Sequence, residues 1–164
     1  MSADTNPALR DPANQVSPKA RVLWAVGAGF QVLGPLVVLL AAQLFDWFDV
    51  PVWVWPLYLV LAVAYVVAMP AVRYRIHRWE NAENAVYTQT GWLSSERRIA
   101  PMSRIQTVDF EQRVVGRVLG LASVTVTTAS AAGPLVISGI DKAVADRLVD
   151  DLTRRTAAEK GDAT

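Results

Sequence analysis

The amino-acid sequence predicts a membrane protein in which an N-terminal transmembrane α-helical hairpin precedes one small mixed α/β domain. Two uncharged runs, Val22 to Phe45 and Val50 to Val72, follow each other closely, and each exceeds the roughly 20 residues that an α-helix needs to cross about 30 Å of hydrocarbon. Basic residues flank the outer margins of this pair, and only acids sit in the turn between its halves. Beyond Arg78 no run long enough to span remains, and short β-type segments separated by turn residues take over.

Residues 1–21 are polar, interrupted by Pro7, Pro12 and Pro18, and without a periodic apolar face, so they are expected to form a flexible cytoplasmic tail. Residues 22–45 form the first span, 46–49 an external turn bounded by Asp46 and Asp49, and 50–72 the second span. A cleaved signal peptide is the competing reading of the first run. Its apolar part is longer than a usual signal core, and a second span follows at once. Lys19 and Arg21 before the first span, with Arg73, Arg75 and Arg78 after the second, put both termini in the cytoplasm. Trp47, Trp53, Trp55 and Tyr58 near the outer ends, and Trp24 and Tyr74 near the inner ends, belong at headgroup depth.

In the first span Gly27, Gln31, Gly34 and Ala41 share a narrow sector at 100° per residue, which permits close approach of another helix and offers Gln31 an interhelical hydrogen bond. Ala64 and Ala68 supply a small-xxx-small pair in the second. These faces either recruit a partner or close the hairpin on itself. Pro35 is expected to kink the first helix.

Residues 73–156 read as the cytoplasmic domain. Strands are expected at Ala85 to Thr90, Glu96 to Ala100, Ile105 to Glu111, Val124 to Ala129 and Leu135 to Ser138, with another around Trp79. Turn chemistry separates most of them, at Glu83-Asn84, Gly91, Ser94-Ser95, Pro101 and the stretch Ser130 to Pro134, and Leu135-Val136-Ile137 looks buried on both faces. A final helix starts after Asp141, its expected N-cap, with Val144, Leu148 and Leu152 as its apolar stripe. Residues 157–164 are expected to fray.

Composition narrows the chemistry. Cysteine is absent and His77 is the single histidine, which removes disulfides, thiol nucleophiles and histidine-rich metal centres. Ser103, Ser123, Ser138, Asp109 and Glu111 are chemically capable, yet no nucleophile elbow, phosphate loop or dinucleotide fingerprint frames them. No catalytic residue, cofactor or metal site is therefore expected. A net charge of +1 argues against nucleic acid as partner. The basic residues are the best functional clue: Arg73, Arg75 and Arg78 where the second span leaves the bilayer, and Arg97, Arg98, Arg104, Arg113 and Arg117 among the strands, as contacts to lipid headgroups or a partner.

The stretch Ile99-Ala100-Pro101-Met102-Ser103-Arg104-Ile105-Gln106-Thr107-Val108-Asp109 resembles a signature of the bacterial pleckstrin-homology-like (PH-like) "membrane-flanked" domain family: a strand ending in proline, then Arg-Ile-Gln and Val-Asp. Gly116-Arg117-Val118-Leu119-Gly120-Leu121-Ala122-Ser123-Val124-Thr125-Val126 resembles its second signature, a Leu-Gly-Leu-Ala turn entering a strand. Gln112 to Gly116 departs from the Gly-Pro-Leu type segment of many relatives. The resemblance covers roughly residues 73 to 155 and implies a PH-like β-barrel or sandwich capped by the C-terminal helix. It further implies a non-enzymatic interaction or scaffold module in the bacterial inner (plasma) membrane. The expected partners are membrane lipid and a membrane protein, either a larger multi-domain relative or a second copy, and some relatives are linked to tolerance of membrane-active peptides. The alternative is a lipid-headgroup-binding or lipid-sensing protein.

Overall fold

In a computed structural model that describes residues 11–129 and 133–162, with side chains to residue 158, the two apolar runs are continuous helices. Helix α1 spans Ala20–Leu44 and α2 spans Val54–Ile76. At 1.5 Å per residue each exceeds about 30 Å in length. Apolar side chains such as Phe30, Val37, Leu59 and Val67 stand exposed along both helices, as lipid-facing residues do in a bilayer. The second helix starts later than expected because Pro51 to Trp53 turn the chain, with Val54 N–H donating to the Pro51 carbonyl at 2.9 Å. It also continues past Val72 through Arg73 and Arg75, since the helix does not stop where the hydrocarbon does. Pro35 lies inside α1 and Pro70 inside α2, and neither can donate to the preceding turn.

The domain is two antiparallel sheets. Strands β1 (Asn14–Gln15), β2 (Arg78–Asn81), β3 (Ala85–Gly91) and β4 (Ser95–Pro101) form one in that order. Strands β5 (Ile105–Glu111), β6 (Leu121–Thr128) and β7 (Leu135–Asp141) form the other. A six-residue helix α3 (Val114–Leu119) precedes β6 and ends on Gly120 in the left-handed conformation, and α4 (Lys142–Asp162) closes the fold. Val86 and Ala100 from the first sheet meet Leu121, Val124, Val126, Leu135, Ile137 and Ile140 from the second. Ala145, Leu148 and Leu152 of α4 and Met102 of a 3₁₀ turn complete that core.

Several expectations are corrected. Part of the supposed tail is structured: Asn14 and Gln15 pair with Trp79 and Arg78, and Val16 is buried in the core. A two-residue strand leaves no periodicity to read. Residues 1–10 lie outside the described residues. The last helix does not stop at 156 but runs to Asp162, leaving only 163 and 164 of the expected frayed end outside the description. That helix does begin directly after Asp141, at Lys142, as expected; Asp141 also ends β7, and its carboxylate accepts a hydrogen bond from the Ser17 hydroxyl at 3.2 Å. Finally, β7 alternates: Leu135 and Ile137 are buried while Val136 is exposed.

Candidate functional site

The site is the junction where both spans meet the domain. It begins with a bulge. Register along β6 and β7 runs Ala122 to Ile140 and then Ser123 to Ser138, which leaves Gly139 unpaired at φ 77°, a backbone state that glycine adopts without a Cβ penalty. Its carbonyl accepts a hydrogen bond from Ser17 N–H at 2.9 Å, and a Cβ built on it would stand 2.7 Å from the Ala20 Cβ and 3.6 Å from the Trp24 ring. The bare backbone of the bulge thus seats the first turn of α1. Val16, Ala20 and Trp24 belong to the same hydrophobic cluster as the strands and α4.

Aromatic and cationic groups complete the joint. The Trp24 ring lies 4.7 Å from the His77 ring, and the Arg73 guanidinium sits 4.7 Å from the Trp24 ring centroid. Arg21 covers Tyr74 in the same manner at 3.9 Å, tying α1 to α2. His77 is the C-cap of α2 and is buried, its Nδ1 3.0 Å from the Arg73 carbonyl. Nδ1–H donates there, leaving Nε2 to accept from Arg73 Nε at 3.4 Å. Burial, and then the nearby Arg73 charge, push the His77 pKa down to about 4, only partly opposed by backbone hydrogen bonding to Arg73 and Gly91.

This fixes a pH dependence. Above pH 6.5 the ring is neutral whether the chain is folded or unfolded. Between 6.5 and about 4 the unfolded chain binds a proton that the folded chain does not, so stability falls as pH drops through that window. The expected loss is on the order of 3 kcal/mol. Thermal unfolding in detergent micelles across that window should show this slope. His77→Gln should flatten it while lowering stability at neutral pH. An unchanged slope in the variant would contradict the assignment.

The helices make a second set of contacts within the hairpin. The expected Gln31 hydrogen bond exists inside it: Tyr65 of α2 donates to Gln31 Oε1 at 2.6 Å, and Tyr58 donates to the Val32 carbonyl. Trp24, Ala28 and Ala42 on α1 and Met69 and Pro70 on α2 are buried. Gly27 and Gly34 are exposed, with nothing within 4 Å of a built Cβ, and Ala64 and Ala68 are exposed too. The small residues therefore do not form the seam that closes the hairpin.

The basic residues separate into different places. Arg73 and Arg75 occupy the last turn of α2, while Arg78 opens β2 opposite Gln15 and Gln89. Arg97 and Arg98 are consecutive in β4 and so point to opposite faces. Arg97 pairs with Asp11, and Arg98 with Glu96 at 2.7 Å and the Pro134 carbonyl at 3.1 Å. Arg113 pairs with Glu111 at 2.8 Å, which raises its pKa, and Arg117 is exposed on α3, beside the base of α1. Arg104 is exposed in the 3₁₀ turn. Arg73 and Arg98 line one groove, together with His77, Thr88, Thr90, Glu96 and Ser138. Sequence reasoning missed Gly139, Thr88 and Thr90, and singled out Ser138 only as chemically capable. An isolated glycine late in a strand pattern was the available signal for the first.

A transmembrane helical pair docked on a two-sheet, helix-capped domain defines a membrane-anchored PH-like protein. The family comparison agrees. A family model described as "Bacterial PH domain" matches residues 22–156, so the chain belongs to that family. The chain is similar to the UPF0699 transmembrane protein YdbS of Bacillus subtilis (strain 168), with 30% identity over 148 residues, covering 87% of this chain and 92% of the relative. No solved structure matches.

Proposed function

We propose that the chain is a non-enzymatic interaction module of the bacterial inner (plasma) membrane, holding its PH-like domain at the inner leaflet with both termini cytoplasmic. Its partner is another membrane protein, such as a larger multi-domain relative, or a second copy of itself, in a process such as tolerance of membrane-active peptides. The observation that carries this reading is the open face of α1: Gly27 and Gly34 have space around them while the hairpin is closed by other residues. In lipid no hydrophobic force joins helices, so an open small-residue face offers the close backbone approach that drives association. The tether supports it by raising the effective concentration of any weak contact. Charge asymmetry across the spans supports the orientation.

The test is substitution of the open face. Gly34→Leu and Gly27→Leu fill empty space and should leave thermal stability at or above wild type, because leucine is also the better helix former. Intramembrane crosslinking to the partner or second copy should drop several-fold. Wild-type crosslinking in both variants would place the interface elsewhere. In the same cells, a cysteine introduced between residues 46 and 49 should react with an impermeant reagent from outside.

A further inference from the structure

The two ends of the domain differ in what their connections expose. Strand β3 finishes at Gly91, against His77 at the base of α2, so the β3–β4 turn lies at the membrane end. Strand β5 finishes at Glu111, which lines a narrow cleft with Leu23 of α1, so α3 lies at that end too. The β2–β3 turn and the 3₁₀ turn of residues 102–104 lie together at the far end, where Met102 N–H donates to the Asn84 carbonyl at 3.0 Å. That end exposes Glu83, Asn84, Ser103 and Arg104. The membrane end exposes Leu93, Val114 and Val118, each more than three-quarters accessible. Among the described residues of the domain, no other large apolar side chain is even half exposed.

Val114 and Val118 form the outer face of α3. They stand four residues apart, one helical turn, on the side away from the domain. The inner side holds Gly116, where a Cβ would stand 3.1 Å from the Leu121 carbonyl, and Leu119, which packs against the core. A helix apolar on both sides needs a second apolar medium. Its height is set by α1. Arg113 and Gly116 share the cleft with Leu23, and Lys19 Nζ stands 4.0 Å from a Cβ built on Gly120. Lys19 and Leu23 are about 6 Å apart along the helix and straddle Val22, where the uncharged run begins. Thus α3 lies at the depth where the first span enters hydrocarbon. Arg113 and Arg117 flank the valines, and arginine stems lie along apolar ground while their guanidiniums stay in water.

We propose that α3 is an interfacial anchor, lying in the membrane surface with Val114 and Val118 among the first carbons of the acyl chains. It thereby holds the β5–β7 sheet against the leaflet beside α1. Its ligand is the apolar boundary of a fluid bilayer, recognised by buried area and not by charge. The two spans fix the height of the domain, and a third contact off their axis fixes its tilt. The proposal rests on the domain meeting the bilayer at the base of the hairpin, as above, and requires no partner protein.

The experiment uses the full-length chain in phosphatidylcholine vesicles, a composition without net charge. An environment-sensitive dye is placed at Val118→Cys and, in a separate variant, at Ser103→Cys, each a single label because the chain has no cysteine. At 118, quenching by spin labels high on the acyl chain should exceed quenching by aqueous iodide several-fold; at 103 the order should reverse. Water-like emission with iodide quenching at 118 would overturn the proposal. Blue-shifted emission without acyl-chain quenching, together with disulfide-linked dimers of unlabelled Val118→Cys, would make this a contact between copies and sink it equally. Acyl-chain quenching at 103 with none at 118 would overturn the placement of the domain itself. A dye-free arm reads amide exchange along α3 in the same vesicles. Val114→Asp with Val118→Asp should raise it about tenfold while Val124 to Val126 stay protected, because neither valine packs in the core. Unchanged exchange along α3 would contradict the anchor. Adding Gly34→Leu should not alter the signal at 118, whatever it does to crosslinking, which separates this proposal from the association reading.

Discussion

Valine at position 139 should destabilise the folded chain by about 3 kcal/mol or more. The left-handed backbone at Gly139 costs an ordinary L-residue about 1–2 kcal/mol, and a β-branched one more. Overpacking adds about 1–3 kcal/mol, because the first added atom already stands 2.7 Å from the Ala20 Cβ. The contact is specific, which permits a sharper test than a single variant. Gly139→Ala should be destabilising, and Ala20→Gly in the same chain should recover the clash component while leaving the conformational one. A double-mutant cycle on thermal unfolding in micelles should therefore give a coupling of about 1 kcal/mol or more. Additive effects would mean that α1 does not rest on the bulge.

The spans were legible in the sequence because an uncharged run of this length has few alternatives in water or lipid. The longer strands were legible for a similar reason: alternation at Val124 and Val126, and turn residues on either side of Ala85 to Gly91, leave little choice. Elements too short to repeat a period twice were not, which is why the two-residue β1 and the six-residue α3 were missed. Val16 and Trp24 looked like a tail residue and an interfacial aromatic, and only the fold shows that they complete the domain core. The charges were read by neighbourhood along the chain, yet Arg97 and Arg98 diverge across a strand while Arg73 and Arg98 converge from a helix and a sheet. The groove draws on α2, β3, β4 and β7, and that convergence exists only after the two sheets close on the helix end. His77 looked like a generic interfacial histidine because nothing in its local sequence announces burial.

The central claim is that hairpin and domain share one core, and it makes a strong prediction for the fragment 79–156. That fragment keeps most of β2, all of β3 to β7 and α4 as far as residue 156, but loses β1 with its pairing to Trp79, and the side chains of Val16, Ala20, Trp24 and His77. Loss of a buried tryptophan alone costs about 3–5 kcal/mol. Whole domains have only about 5–15 kcal/mol to lose. The fragment should therefore be largely unfolded or molten. The measurement is amide hydrogen exchange at Val124 to Val126, in the centre of β6, for the full chain in micelles and for the fragment in buffer. The account predicts strong protection in the full chain and protection lower by at least a hundredfold in the fragment. Equal protection in both would show that the domain folds without the helices, and would contradict the shared core.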